Sequence, residues 1–192
     1  LEMRGQKRPN IYDVEWDRLP PLVPRSLRLE VSERILGNAQ VERPLDTGEA
    51  RQPIQKLLDA RVEAMAVSLI NAYLNPLHEQ QIGKLIAEMA PQMVVCLSSD
   101  IHPEIREYER TSTTVINASL IPVVDRYLNQ LEKYLSAYSE RLLIMQSNGG
   151  TMSAQMARRR PAYMIESGPA AGVLAAARLA KEVQLPQVLS FD

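Results

Sequence analysis

Cysteine occurs once in these 192 residues, at Cys96, so no intrachain disulfide can form. Cys96 lies within the apolar run 93–97, which marks it as a small buried hydrophobe rather than a nucleophile and suits a cytosolic protein. Histidine occurs twice, at His78 and His102, and no His/Cys/Asp/Glu cluster has metal-ligand spacing, which argues against zinc. Aromatic residues make up 5%, too few for a base-stacking surface. The charge is nearly balanced, 22 Lys+Arg against 23 Asp+Glu, so neither nucleic acid nor an anionic membrane is indicated as a partner. No apolar run approaches a membrane span and no signal peptide opens the chain, while the polar start reads as the middle of a longer protein. Gly-x-Ser-x-Gly, P-loop and Rossmann glycine patterns are all absent.

At 45% hydrophobic the chain is equipped to bury a core. Four prolines (Pro9, Pro20, Pro21, Pro24) make residues 1–30 extended surface chain. Alternation of apolar and polar residues over 27–35 predicts a half-buried strand. A turn at 43–46 precedes a helix over 48–61 with Ile54, Leu57 and Leu58 on one face. Residues 64–70 form a short apolar run, the mark of a strand covered on both faces. Asn75 and Pro76 open a helix that reaches Met89, and 93–97 is another buried strand. The longest helical pattern spans 112–138, with Ile116, Leu120, Val123, Tyr127, Leu131 and Leu135 on its apolar face and Pro122 set to kink or divide it. Further strands are predicted at 142–145, 163–165 and 188–191, and helices at 153–159 and 172–181. Strand–helix–strand alternation points to an α/β layer architecture.

Two segments hold the polar chemistry. Residues 98–114 are dense in charge and hydroxyls directly after a strand, where α/β folds place ligands. Arg106, Glu109 and Arg110 with Thr111, Ser112 and Thr113 suit a polar substrate, although composition alone favours a solvated helix held by Glu/Arg pairs. The second segment carries Gly149, Gly150, Ser167 and Gly168 at strand–loop–helix junctions, where backbone N–H groups can approach a phosphate. The basic cluster Arg158, Arg159 and Arg160 reads as a solvated helix end. His78 reads as structural or exposed, and His102 sits in a loop after a strand.

Several strings resemble the hydantoinase A/5-oxoprolinase family nearly end to end. They are Arg4-Gly-Gln-Lys-Arg-Pro-Asn-Ile-Tyr-Asp13, Leu22-Val-Pro-Arg25 with Glu33 and Arg34, Asn75-Pro-Leu-His-Glu79, Pro103-Glu-Ile-Arg-Glu-Tyr-Glu-Arg-Thr-Ser-Thr-Thr114, Met145-Gln-Ser-Asn-Gly-Gly150 and Ser167-Gly-Pro-Ala-Ala-Gly172. The resemblance implies an actin-like ATPase (ribonuclease H-like) fold, α/β with a mixed sheet and flanking helices. It implies the end of the N-terminal hydantoinase/oxoprolinase region over 1–100 and the start of the hydantoinase A region over 101–192. The closing residues are similar to heat-shock ATPases approaching their second phosphate loop, except that Gly168 stands where those have a glutamate; Glu166 lies two positions away.

The implied activity is ATP-driven opening of a cyclic amide, as in N-methylhydantoinases and 5-oxoprolinases, through phosphorylation of the carbonyl oxygen. ATP and Mg2+ are the implied cofactors, with Gly149, Gly150, Ser167, Gly168 and Asp192 at the nucleotide and Asp192 holding the metal through water. Arg106, Glu109 and Arg110 become catalytic candidates, and Thr111, Ser112 and Thr113 substrate-side ones. A hydantoinase B-type partner subunit or domain and a cytoplasmic location complete the expectation. Both main phosphate loops fall outside the chain, so by itself it is expected to be inactive. A ketone carboxylase subunit and a non-catalytic assembly module are the alternatives.

Overall fold

The computed structural model describes residues 12, 13, 15, 20–139 and 141–191. The chain forms two compact units, residues 1–119 and 120–192, each described by itself below.

Unit 1 begins with a short 3-10 turn, Arg25–Leu27, and an antiparallel pair, β1 (Arg34–Ile35) with β2 (Val41–Arg43). The alternation over 27–35 therefore yields only two strand residues, because β2 offers pairing partners to Arg34 and Ile35 alone. Helix α1 (Thr47–Asp59) starts where Asp46 Oδ1 accepts the N–H groups of Gly48 and Glu49, at 2.7 and 3.1 Å. Next come β3 (Ala64–Val67), α2 (Leu77–Met89) and β4 (Val94–Leu97). β3 and β4 pair in parallel, Ala64 opposite Val94 through Val67 opposite Leu97. Such a pair requires a crossover, and α2 supplies it.

Helix α2 opens on Pro76, one residue later than expected, while Asn75 Oδ1 still accepts the Leu77 N–H at 3.1 Å. Its buried positions His78, Glu79, Ile82, Leu85 and Ile86 recur at helical spacing. The apolar three join Leu45, Ala50, Ile54, Met65 and Val67 in the core of this unit. β3 is covered on one face only, since Met65 and Val67 are buried and Ala66 is exposed. One turn of helix, α3 (Ser98–Ile101), follows β4 directly.

Helix α4 (Glu107–Leu135) contains the boundary between the units. It runs undivided through Pro122, whose cost is confined to one missing hydrogen bond and local crowding. The inward face differs from the expected one. In unit 1 it presents the buried residues Arg110, Thr114, Asn117 and Ala118; in unit 2 it presents Leu128 with Val124 and Leu131. Val123 and Tyr127, expected inside, are each 55% exposed.

Unit 2 holds an antiparallel hairpin, β5 (Leu143–Met145) with β6 (Thr151–Ser153), then α5 (Ala154–Arg159) and α6 (Ser167–Glu182). Ser153 Oγ caps α5 by accepting the Met156 N–H at 3.2 Å. Leu128, Met152 and Ala157 form the core, with Tyr163 and Met164 packed against it. Residues 163–165, predicted as a strand, instead continue from a 3-10 turn, Pro161–Met164. Pro161 sets the local backbone angle for that turn, and Ser147 then takes the Tyr163 carbonyl through its N–H (2.8 Å) and Oγ (2.8 Å). Residues 188–191 form no strand either; Leu189 and Phe191 are exposed, and no described strand lies beside them to complete a ladder.

Arg158 is not a solvated helix end. Its Nε donates to Asp125 Oδ1 at 2.9 Å and its Nη2 to Glu132 Oε2 at 2.7 Å, while Nη2 also reaches Asn129 Oδ1 at 2.8 Å. The hydrogen bond from Arg158 holds the Glu132 carboxyl below its ordinary range. A depressed carboxylate stabilises the fold above its unfolded value, so this contribution is present at neutral pH and lost as acid protonates Glu132. Exposure keeps it modest.

Candidate functional site

The carboxyl ends of β3 and β4 lie side by side, the edge at which parallel α/β sheets bind ligands. A buried polar chain crosses this edge. Glu79, 0% exposed on α2, accepts from the Leu69 N–H (2.9 Å) and Ser98 Oγ (2.6 Å) through Oε1, and from the Ser99 N–H (2.8 Å) through Oε2. Ser98 Oγ in turn accepts from Arg110 Nε at 3.1 Å. Arg110, also 0% exposed, donates Nη2 to the Leu69 carbonyl at 2.8 Å and Nη1 to the Glu104 carbonyl at 3.0 Å. Its guanidinium lies over the Tyr73 ring, 5.5 Å from the centroid, and 3.5 Å from Glu107 Oε1.

A buried carboxylate and a buried guanidinium thus share one hydroxyl and the backbone of one residue, Leu69, without a hydrogen bond between them. Two burials of charge are tolerable only because both groups are hydrogen-bonded. Beside them His78 Nδ1 meets Glu33 Oε2 at 2.6 Å, both almost wholly buried, which places His78 in a structural role. Thr111 Oγ1 lies 2.6 Å from Ser68 Oγ. Asn117 Nδ2 donates to Cys96 Sγ at 3.4 Å. Burial pushes the Cys96 thiol up, as does the charge of Asp100, against the hydrogen bond from Asn117; it is an inert core group.

The sequence candidates in this unit divide by exposure. Arg106 and Glu109 are exposed, Thr111, Ser112 and Thr113 half-buried, and Arg110 enclosed. Arg106 has left-handed backbone (φ 85°), uncommon for a residue with a Cβ, and accepts the Arg110 N–H at its carbonyl (3.0 Å) to start α4. His102 is partly exposed, 3.6 Å from Glu104 Oε2. Glu79 and Ser98 escaped the sequence reading. A buried carboxylate on the apolar face of α2, three and seven residues before Ile82 and Ile86, was the available signal.

In unit 2 the glycine candidates occupy the β5–β6 hairpin. Gln146 N–H donates to the Gly150 carbonyl (2.8 Å) and Gly149 N–H to the Gln146 carbonyl (3.0 Å), so the loop closes on itself. Gly149 has φ 85°, and a Cβ there would stand 2.8 Å from Leu174 Cδ1 of α6. Gly149→Ala is therefore expected to cost about 1–3 kcal/mol of stability, measured by urea denaturation; a change below about 0.5 would show that the hairpin does not depend on glycine. Ser167 and Gly168 open α6. Its N-cap Glu166 is left-handed (φ 58°) and provides no side-chain cap, and a Cβ on Gly168 would meet nothing within 4 Å. Uncapped N–H groups beside open space suit a phosphate oxygen. Asp192 lies outside the described residues. Among the described residues no group of three or more His, Cys, Asp or Glu gathers to hold a metal, and no helix is long and apolar enough to cross a membrane.

Comparison with known proteins places this geometry. The model of the hydantoinase/oxoprolinase N-terminal region matches residues 1–90, and that of hydantoinase/oxoprolinase matches 110–192. An uncharacterised protein of Methanocaldococcus jannaschii is 38% identical over 100% of this chain and 28% of its own length. The caprolactamase subunit alpha of Pseudomonas jessenii is 33% identical over 94% of this chain and 26% of its own. The crystal structure of the ATP-dependent caprolactamase from that organism superposes with TM-score 0.84 at 33% identity, covering 93% of this chain and 26% of the other. Nucleotide-free acetone carboxylase gives TM-score 0.76 at 27% identity, covering 88% of this chain and 24% of the other. The chain thus spans about a quarter of the length of these relatives and shares their α/β fold, which is of the actin-like ATPase type. With both family models matched in order, the chain belongs to the hydantoinase/oxoprolinase family.

Proposed function

We propose that the protein to which this chain belongs is an ATP-dependent hydrolase that opens a cyclic amide. The likeness to ATP-dependent caprolactamase, in sequence and in fold, carries this reading. ATP would supply the phosphoryl group that makes the amide carbon open to attack by water; the ring nitrogen, once protonated, would then leave to give an acyl phosphate, which a second water hydrolyses to carboxylate and inorganic phosphate. The chain's own residues bind and position. The N–H groups of Ser167 and Gly168 at the start of α6 fit phosphate oxygens, and Gly149 and Gly150 shape the neighbouring hairpin. Arg106 and Glu109 face solvent at the carboxyl edge of the parallel pair, with Thr111, Ser112 and Thr113 behind them on the substrate side. Arg110 acts through what it holds, because its guanidinium is enclosed. The described residues do not by themselves form a magnesium site. The metal role proposed for Asp192 rests on the family resemblance.

A division near residue 100 belongs to the same proposal; one family model ending at residue 90 and the other starting at 110 support it. So does a partner subunit, supported by relatives that are themselves subunits of larger enzymes. The test is ADP release by the full-length protein with its partner subunit, with and without hydantoin, 5-oxoproline or caprolactam. Stimulation by one of the three is the expected result. No stimulation would refute ring opening and favour a ketone carboxylase, the reading that the fold match to acetone carboxylase supports. Incorporation of labelled bicarbonate into a ketone would then establish it.

A further inference from the structure

Resting on that functional reading, we propose that Glu79, Ser98 and Arg110 are positioning residues that pre-organise the loop of residues 102–106 as the substrate-recognition edge of unit 1. The loop leaves α3 immediately past β4, at the ligand-binding edge of the parallel pair. Within the loop Pro103 fixes one backbone angle and the Glu104 N–H donates to the His102 carbonyl at 2.7 Å, which leaves Ile105 and Arg106 to be held from outside. Besides the Arg106 carbonyl, which accepts the Arg110 N–H, the loop is tied at two points: the His102 N–H donates to the Ser98 carbonyl at 3.0 Å, and the Glu104 carbonyl accepts from Arg110 Nη1 at 3.0 Å. Both ties lead to the same buried chain, since Ser98 Oγ joins Arg110 Nε to Glu79 Oε1. Glu79 also fixes the Leu69 and Ser99 peptides, so the ends of both strands and the loop are referred to one carboxylate.

What the loop presents is an apolar group beside a cation. Ile105 is 66% exposed, and the exposed Arg106 follows it in the left-handed conformation. The left-handed Arg106 backbone is strained, and such strain persists only where the surroundings over-determine it. Together Ile105 and Arg106 suit a small ring with methylene groups on one side and a carbonyl or anionic oxygen on the other. A cyclic amide has that chemistry: Ile105 would cover the ring carbons and Arg106 would meet the negatively charged phosphoryl group that the carbonyl oxygen receives. Arg110 itself touches no substrate in this arrangement, because it is 0% exposed.

The experiment uses the full-length protein with its partner subunit and three variants: Ser98→Ala, which cuts the hydroxyl link while leaving both charges in place; Arg110→Lys, which keeps the charge but loses the fork; and Arg106→Ala at the edge itself. Hydrogen exchange of peptides covering residues 102–106 is expected to quicken about tenfold in Ser98→Ala and Arg110→Lys, the loss of one hydrogen bond's worth of order, with β3 and β4 unchanged. In all three variants KM for the cyclic amide is expected to rise about tenfold while KM for ATP stays constant. Unaltered exchange in Ser98→Ala overturns the positioning role. Quickened exchange with an unchanged KM for the cyclic amide overturns the recognition role. If the unsubstituted enzyme turns over no cyclic amide, the functional reading and the recognition edge fall together, and the exchange data alone still decide whether Glu79, Ser98 and Arg110 order the loop.

Discussion

Arg110→Ala is expected to lower the stability of the protein by about 3–5 kcal/mol, the cost of breaking a buried pair and leaving the other charge enclosed. The stranded group is Glu79, 0% exposed, which would keep its bonds from Leu69, Ser98 and Ser99 but lose the compensating cation beyond Ser98. The carbonyls of Leu69 and Glu104 would lose their donor as well. Glu79→Ala should cost a similar amount for the reciprocal reason, and the double variant much less than the sum, because neither charge is then left alone. Urea denaturation measures all three. A loss below about 1 kcal/mol for either single variant, or simple additivity, would show that the two charges are compensated elsewhere. The exposed neighbour Arg106→Ala should stay within about 0.5 kcal/mol, so that any effect on turnover there reflects recognition and not folding.

Leu128→Ala is expected to cost about 2–5 kcal/mol in unit 2. Leu128 is 0% exposed on α4 and packs with Met152 of β6 and Ala157 of α5, flanked by Val124, Leu131 and Ile144. Truncation removes transfer free energy and leaves a cavity among elements too short to close over it, since β6 is 3 residues and α5 is 6. The adjacent Tyr127, 55% exposed, should tolerate alanine within about 0.5 kcal/mol. Equal effects at Leu128 and Tyr127 would mean that α4 is rotated from the orientation described.

That contrast between Leu128 and Tyr127 shows where local pattern fails. Apolar periodicity identifies an inward face when the face is apolar throughout, as on α1, where Ile54 is buried in the core and Leu57 and Leu58 pack against it. On α4 the inward stripe begins with Arg110, Thr114 and Asn117, so the apolar periodicity strayed onto Val123 and Tyr127, which face solvent, although Leu131 does pack against the core of unit 2. Strand pattern fails for a different reason. Residues 188–191 are mostly apolar, but a strand exists only through its partner. Residues 163–165 are apolar enough for a strand, yet Pro161 and the carbonyls taken by Ser147 commit them to a turn.

By itself the sequence determined the strand–helix–strand unit, the helix opened by Ser153 and the family, because each depends on residues close together in the chain or on whole strings of them. Tertiary structure decided the site. Glu79, Ser98 and Arg110 are separated by intervals of 19 and 12 residues and share no motif, and only the parallel pairing of β3 with β4 brings them onto one hydroxyl. Exposure divided the candidates in the same way: Arg106 and Arg110 are four residues apart in one string, but Arg106 precedes α4 with left-handed backbone and stays in solvent, while Arg110 lies within the helix and is enclosed.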